Sequence, residues 1–438
     1  MTPLEIGLLI ALVTVVLLGT GMPIAFGLGF VALAFMVGFQ GLDALGIMAE
    51  KFFGGIESFA LVSLPMFILM GAAVASSPAA RDLYLALDRW LSRVPGGIVV
   101  ANLGACSIFA ALSGSSPATC AAIGKMGIPE MRKRGVPDDL ATGSIAAGGT
   151  LGILIPPSIT MIVYGVATET SIGRLFLAGV LPGFMLSAMF IAWTLFMAWR
   201  RGWRFGDVTL RFSLREKLEV LPRVLPFLAI IVGILYVLYG GVATPSEAAG
   251  VGALFCLVLV VAIYRMWQPG RMWLIFRDST RESVMIMMII AASELFSYMM
   301  SSLYVTQEIA QMIAALEINR WLLMGLINVF LLVAGMFLPP VAIILMTAPI
   351  LLPIVTQIGF DPYWFAVILT INMEIGLITP PVGLNLFVIN GITPDVRLPV
   401  ILRGALPFVL LMVAGIVILS FFPGIATWLP DLLMGPGQ

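Results

Sequence analysis

Two adjacent prolines interrupt a long apolar run at two places in this chain. The matching segments, Gly152-Ile153-Leu154-Ile155-Pro156-Pro157 and Gly376-Leu377-Ile378-Thr379-Pro380-Pro381, lie 224 residues apart. Each pair sits where a helix would otherwise continue. Proline has no backbone N–H to donate, and its ring clashes with the preceding turn. The pattern therefore predicts two broken helices, at corresponding points of the two halves of the chain.

The composition predicts that lipid surrounds those helices. Apolar residues make up 61% of the chain and charged residues 11%, and the mean hydropathy is +1.09. A soluble domain has about 45–50% and about 25%. Many stretches reach the roughly 20 apolar residues that span a bilayer. The expected fold class is an all-α polytopic membrane protein. No basic segment precedes the first apolar run, so that run reads as a retained helix and not a cleaved signal. Cys106, Cys120 and Cys256 fall in apolar runs and read as small core residues, not disulfide or metal partners. The chain has no histidine, which excludes a His-dependent intramembrane serine protease, a His-ligated haem carrier and a zinc metalloprotease. It also lacks a Gly-x-x-x-x-Gly-Lys-Ser/Thr loop, which excludes ATP hydrolysis through a P-loop. No enzyme activity and no cofactor are expected.

The 224-residue offset extends beyond the proline motif. Apolar spans at 4–20 and 22–40 correspond to 225–240 and 246–264. Mixed stretches at 43–58 and 267–281 match, as do spans at 59–78 and 282–302 and amphipathic stretches at 79–92 and 303–318. The expected units are two repeats, 1–223 and 224–438. The first holds scaffold helices in 1–92, a hairpin at 95–134, a broken helix at 138–168 and a span at 172–199. The second holds scaffold helices in 224–318, a hairpin at 321–358, a broken helix at 362–391 and a last span at 404–422.

Lys and Arg accumulate on the cytoplasmic side of membrane proteins. Five segments carry 19 of the 23 basic residues: 79–97, 130–139, 198–223, 265–283 and 391–404. The third is the richest, with Arg200, Arg201, Arg204, Arg211, Arg215, Lys217 and Arg223. Basic clusters flank both ends of 95–134, so this apolar stretch reads as a re-entrant hairpin with its tip near Ser113–Pro117. Its counterpart, 321–358, has only Arg320 before it and Asp361 after it, and reads as entering from the other side. Each half then has five crossings and one hairpin. An odd number of crossings inverts the second half relative to the first. The expectation is ten crossings, with the tail around Trp428 adding an interfacial or eleventh helix.

Interrupted segments in corresponding halves are the sequence pointer to the binding site of a secondary transporter built from repeats. Four breaks are expected, at Ser116-Pro117, Pro156-Pro157, Pro339-Pro340 and Pro380-Pro381. Proline is favoured at the first position of a helix, so each is expected to begin a new half-helix. Helix N-termini present N–H groups that suit carboxylates; carbonyls and hydroxyls suit hard cations such as sodium. Irregular backbone at membrane depth is tolerated where protein buries it or it lines a cavity. Ser113, Ser115, Ser116 and Thr119 cluster at the first tip, while Ser158, Thr160, Thr379 and Asn385 flank the double prolines. The competing reading of each hydroxyl is a bond to the preceding turn of its own helix. Lys125, eight residues past Pro117, either snorkels to the cytoplasmic side or attracts an anion leaving the site. Glu374 and the mid-span Glu294 are candidates for proton relays, with capping or interhelical bonding as the alternative. The second tip, Gly335-Met336-Phe337-Leu338-Pro339-Pro340, has no hydroxyl and would rely on backbone carbonyls.

These segments resemble the large membrane subunit (M subunit) of tripartite ATP-independent periplasmic (TRAP) transporters. The resemblance rests on Ser113–Thr119, Gly124–Met131, Gly148–Ser158, Thr244–Ala249 and Glu374–Asn385, and covers essentially the whole chain. It implies an inverted-repeat, elevator-type carrier in a bacterial cytoplasmic membrane, driven by sodium and taking up organic acids: dicarboxylates, keto acids or sugar acids. It implies two partners, a small four-helix membrane subunit and a periplasmic substrate-binding protein. By position, a first sodium site falls on Ser113 and Ser115 with backbone of Gly152, Ile155 and Pro157. A second falls on Gly335, Gly376, Thr379 and Pro381. Substrate falls near Ser116, Thr119 and Asn385. The alternatives are a stand-alone sodium/carboxylate symporter of related fold, and a channel, whose pore would show rings of charge or a repeated carbonyl filter.

Overall fold

The computed structural model describes residues 1–94, 96–200, 212–315 and 319–435. Arg201, Arg204 and Arg211 of the basic segment, and the end of the amphipathic stretch 303–318, lie outside the described residues. Every regular element among the described residues is a helix. The first half runs α1 (Pro3–Gly19), α2 (Ile24–Gln40), α3 (Ala44–Glu57), α4 (Ser63–Ala75), α5 (Ala79–Leu91), α6 (Gly97–Ser113), α7 (Ser116–Lys133), α8 (Asp138–Thr150), α9 (Ile159–Ala167) and α10 (Ile172–Arg200). The second half runs α11 (Leu214–Tyr239), α12 (Pro245–Tyr264), α13 (Pro269–Ser302), α14 (Val305–Ala315), α15 (Arg320–Gly335), α16 (Pro340–Gln357), α17 (Pro362–Leu377), α18 (Leu384–Ile392) and α19 (Leu398–Phe421). A short α20 (Gly424–Met434) closes the chain.

Local chemistry explains many of these boundaries. Thr2 with Glu5, Ser213 with Glu216 and Thr244 with Glu247 form capping boxes, each satisfying two orphan N–H groups. Asp361 caps α17 by accepting from the amides of Tyr363 and Trp364, both at 2.8 Å. Prolines stand in the first turn of α1, α7, α12, α13, α16, α17 and α19, where the missing N–H costs nothing.

Among the described residues, six helices are long and apolar enough to cross a bilayer, and a seventh span is formed if the α3–α4 pair, bent by 54°, counts as one. Five further apolar helices are shorter. The bend falls at Ser58, whose ψ of 127° is extended, and a 3-10 turn over Phe59–Val62 follows. The Ser246 hydroxyl donates to the Phe59 carbonyl there at 3.1 Å, satisfying a group that the bend frees. The second half differs: Pro269 starts α13, and its 34 residues continue as one helix of about 51 Å. The tail does not form an eleventh crossing. At 11 residues α20 is about 16 Å long, against a hydrocarbon core of about 30 Å. It docks on α10, where Arg174 donates to the carbonyls of Met434 and Gly435 at 3.2 and 2.6 Å.

The centre of the molecule is built from α6, α8 and α17. Every residue of α8 from Leu140 to Thr150, and of α17 from Trp364 to Leu377, is buried. Small residues let α8 and α19 meet closely across the two halves, for a Cβ on Gly143 would lie 2.1 Å from the Gly404 carbonyl carbon. Phe190 of α10 stacks edge-on to Phe408 of α19 with centroids 5.1 Å apart. A second, smaller core joins α1 and α2 to the later part of α13, with Ile10, Leu28, Val31, Met36 and Met299 fully buried.

Candidate functional site

The tip of the first hairpin is two residues long. Gly114 ends α6 with φ +60°, a left-handed conformation that glycine adopts without penalty, and its amide donates to the Ala110 carbonyl at 2.8 Å. Ser115 is extended, and α7 begins at Ser116 with Pro117 in its first turn. The polar atoms of the tip turn toward one another. The hydroxyls of Ser113 and Thr119 are 3.0 Å apart, and both donate to the Ser115 carbonyl, at 3.4 and 2.9 Å. The Thr119 hydroxyl stands beside that of Ser113, because one helical turn carries it back to the Ser115 carbonyl, which also accepts from the Thr119 amide at 3.1 Å.

The first broken helix closes against this tip. After Thr150, α8 tightens into a 3-10 turn over Leu151–Ile153, and Gly152 lies against Ala110 of α6. A Cβ on Gly152 would stand 2.3 Å from the Ala110 Cβ, so only glycine permits this approach. A Cβ on Gly114 would meet the Ile159 side chain at 3.1 Å, which places the tip at the start of α9 as well. Ile155 is half-buried and lies beside Gly183 of α10; Pro157 is buried.

The second hairpin turns at Met336–Pro339, and α16 starts at Pro340. Gly376 lies on Gly335, and the Val382 amide donates to the Met336 carbonyl at 3.2 Å, tying the break to the tip. Thr379 gives its hydroxyl proton back to Ile375 at 2.6 Å, which is the competing own-helix reading of that residue. The two double prolines differ in setting: Pro156 and Pro157 are buried, whereas Pro380 and Pro381 are exposed. Both pairs are joined by a cis peptide.

One expectation about the breaks is corrected. Pro117 and Pro340 do start helices, but the double prolines of the broken helices do not. α9 begins two residues after Pro157 with Ser158 as its cap, whose hydroxyl accepts from the Met161 amide at 3.3 Å. α18 begins three residues after Pro381, behind Gly383 at φ +52°. A hydroxyl cap or a left-handed glycine satisfies or redirects the chain end at each start, which proline, with no donor and no side-chain acceptor, does not.

Ser116 joins the two halves. Its hydroxyl accepts from Asn385 Nδ2 at 2.7 Å and donates to Glu374 Oε2 at 3.1 Å. Asn385 Nδ2 also reaches the Ala146 carbonyl at 3.3 Å. All three side chains are fully buried. Among the described residues, Glu374 Oε1 and Asn385 Oδ1 are buried without a hydrogen-bond partner. Glu374 thus makes an interhelical bond, from α17 to α7. Glu294 is not buried: it faces outward on α13, against Gly55 of α3.

A further polar pair was not anticipated. Asn372 Nδ2 donates to Asn328 Oδ1 at 2.5 Å, linking α17 to α15 one turn before the Gly376–Gly335 contact. Two asparagines inside apolar helices were the available signal. Lys125 is exposed and faces a cavity shared with Arg81. Two apolar cavities of about 430 and 510 Å³ lie on the periphery, along α11–α12 and between α1 and the second hairpin, away from the Ser116 cluster.

The chain matches the family model described as "Tripartite ATP-independent periplasmic transporter, DctM component" over residues 11–425. It is 39% identical over 391 residues to the C4-dicarboxylate TRAP transporter large permease protein DctM of Pseudomonas aeruginosa, covering 89% of this chain and 91% of the relative. It is 35% identical over 405 residues to the isethionate TRAP transporter permease protein DctMQ of Oleidesulfovibrio alaskensis, covering 92% of this chain and 63% of that longer protein. It is 30% identical over 425 residues to the sialic acid TRAP transporter large permease protein SiaM of Vibrio cholerae, covering 96% and 98%. Among solved structures it resembles the YdaH transporter of Alcanivorax borkumensis, with a TM-score of 0.67 at 14% identity, covering 92% of this chain and 91% of that one.

Proposed function

The chain belongs to the DctM family of tripartite ATP-independent periplasmic transporter components, and on that premise we propose that it carries organic acids into a bacterial cell on a sodium gradient. It is a multi-pass membrane permease and not an enzyme. The proposed substrates are C4-dicarboxylate-like acids, keto acids or sugar acids, delivered by a periplasmic binding protein. A small four-helix membrane subunit is the proposed second partner; the relative whose name joins the letters M and Q is longer than this chain, which supports it.

The proposed topology has two inverted repeats in the cytoplasmic membrane, 1–223 and 224–438. Ten crossings arise when the shorter helices α1 and α2 and the broken pairs α8–α9 and α17–α18 are counted with the longer spans. The matching order of α1–α10 and α11–α19 supports it. The hairpins and broken helices form the moving unit of an elevator, and the peripheral helices form its scaffold.

The observation that carries the ion-coupling reading is the first tip. The hydroxyls of Ser113 and Thr119 and the carbonyl of Ser115 lie within hydrogen-bond distance of one another, against the break at Gly152. Clustered neutral oxygens at a helix break suit a hard monovalent cation. The proposed first sodium site is Ser113 and Ser115 with backbone of Gly152, Ile155 and Pro157. The second is Gly335, Gly376, Thr379 and Pro381. Ser116, Thr119 and Asn385 are the proposed substrate contacts.

The test is uptake by the reconstituted three-component system, with a sodium gradient as the only energy source. Ser113→Ala, which removes one of the tip hydroxyls, should raise the sodium concentration needed for half-maximal uptake. Unchanged sodium activation would sink the site assignment, and uptake by this chain without its partners would sink the tripartite reading.

A further inference from the structure

We propose that the cavity between the first hairpin and the α4–α5 joint is a carboxylate-binding site, separate from the Ser116–Asn385 cluster, with Lys125 and Arg81 as its cationic groups. It rests on the proposed function only for its ligand class, a small organic acid.

The cavity is about 450 Å³, within the roughly 300–1,000 Å³ of small-molecule pockets. One wall is a stripe of α7: Ala118, Ala121, Ala122, Lys125 and Met126. These positions recur at three- and four-residue spacing, so they share one helix face about 12 Å long. The opposite wall is the end of α4 and the start of α5, including Arg81. Alanine side chains leave the space open. On the other face of α7, Ser116, Thr119, Cys120 and Ile123 are buried in the protein. The hairpin helix thus has a closed face in the Ser116 cluster and an open face on the cavity.

The charges of this cavity are unbalanced. Neither Lys125 nor Arg81 has an ion-pair or hydrogen-bond partner among the described residues. The acids nearby in sequence are engaged elsewhere. Glu130 bonds Arg134 and Lys133, at 3.3 and 3.5 Å. Asp82 is buried, accepts from the Tyr264 hydroxyl at 3.1 Å and pairs with Arg223 at 3.8 Å. Two unpaired cations from different elements, on a cavity with low-dielectric walls, concentrate anions. One cation sits on the hairpin and the other on the wall formed by the helix joint.

The experiment uses Ala122→Cys in the full chain, whose three native cysteines are buried. Labelling rates by an anionic and a cationic methanethiosulfonate reagent are compared in phosphatidylcholine vesicles, with and without succinate. We expect the anionic reagent to react several-fold faster, and succinate to slow both reagents. Lys125→Gln and Arg81→Gln, each in the Ala122→Cys background, should remove the preference and the protection. Equal rates for the two reagents, or no protection by succinate, would overturn the proposal. Protection by added phosphatidylglycerol but not by succinate would assign the cavity to a lipid headgroup and overturn it too. Uptake by the wild-type three-component system is measured in parallel, so that a failure of the transport reading is seen separately from a failure of the site.

Discussion

Gly376 and Gly335 meet backbone to backbone: a Cβ on Gly376 would lie 2.3 Å from the carbonyl carbon and oxygen of Gly335. The relation is asymmetric, because a Cβ on Gly335 would find Gly376 Cα at 3.4 Å, an ordinary contact. Gly376→Ala should therefore force two backbones apart and destabilise the chain by roughly 1–3 kcal/mol, the usual cost of overpacking. Gly335→Ala should cost less. Thermal unfolding of the solubilised protein compares them, and equal shifts for the two variants would contradict the geometry.

Ser116 is a hydroxyl with two buried dependants. Ser116→Ala removes the donor to Glu374 Oε2 and an acceptor for Asn385 Nδ2, which keeps only the Ala146 carbonyl at 3.3 Å. A buried polar group left unpaired costs about 1–3 kcal/mol. The expected loss lies in that range, and a double-mutant cycle with Asn385→Ala should show coupling above about 0.5 kcal/mol. Additive effects would mean that the two side chains do not interact.

Arg134 holds Asp88 with both guanidinium nitrogens, at 2.8 and 2.7 Å, tying the base of the first hairpin to α5. Asp88 is almost wholly buried and the Arg134 side chain is 16% exposed. Asp88→Ala should destabilise by roughly 1–3 kcal/mol, because it takes two charge-assisted hydrogen bonds from a largely buried cation and leaves it only Glu130 at 3.3 Å. Asp278→Ala, which removes the exposed pair with Arg277, should cost less than about 1 kcal/mol. Chemical unfolding of both variants side by side checks the contrast.

Arg132 reaches two carboxylates, Asp138 at 2.8 Å and Asp395 at 2.6 Å, and so links α7, α8 and the α18–α19 loop. Its hydrogen bond to Asp395 holds that carboxyl below the usual aspartate value. A carboxyl depressed in the folded state contributes stability above its unfolded value, about 3.9, and loses it as pH falls through the folded value. The melting-temperature gap between wild type and Asp395→Asn should be present at pH 7 and close below about pH 4. A gap that widened on acidification would have the wrong sign for this ion pair.

The helix breaks were legible because proline acts locally. Pro117 and Pro340 start helices where the pattern placed them, and the tips fall at Gly114-Ser115 and Met336–Pro339. The starts of α9 and α18 were not legible from proline alone, since Ser158 and Gly383 set them. The continuous α13, against the bent α3–α4, was also hidden: the sequence offset matches both stretches, but only the second half lacks an interruption between them.

By itself the sequence determined an all-helical membrane chain of apolar helices, with four breaks and hydroxyls beside the first. These are properties of single residues and their near neighbours: burial of apolar groups, a missing amide, a side chain that caps. Only the tertiary structure decided which polar groups meet. Asn385 and Ser116 are 269 residues apart, and Glu374 and Ser116 are 258 apart. Nothing in local periodicity distinguishes a hydroxyl that bonds its own turn, as at Thr379, from one that bridges two halves, as at Ser116. That choice depends on how each helix is rotated and how closely the glycines of α8, α15, α17 and α19 let the backbones approach, which is set by packing across the whole molecule.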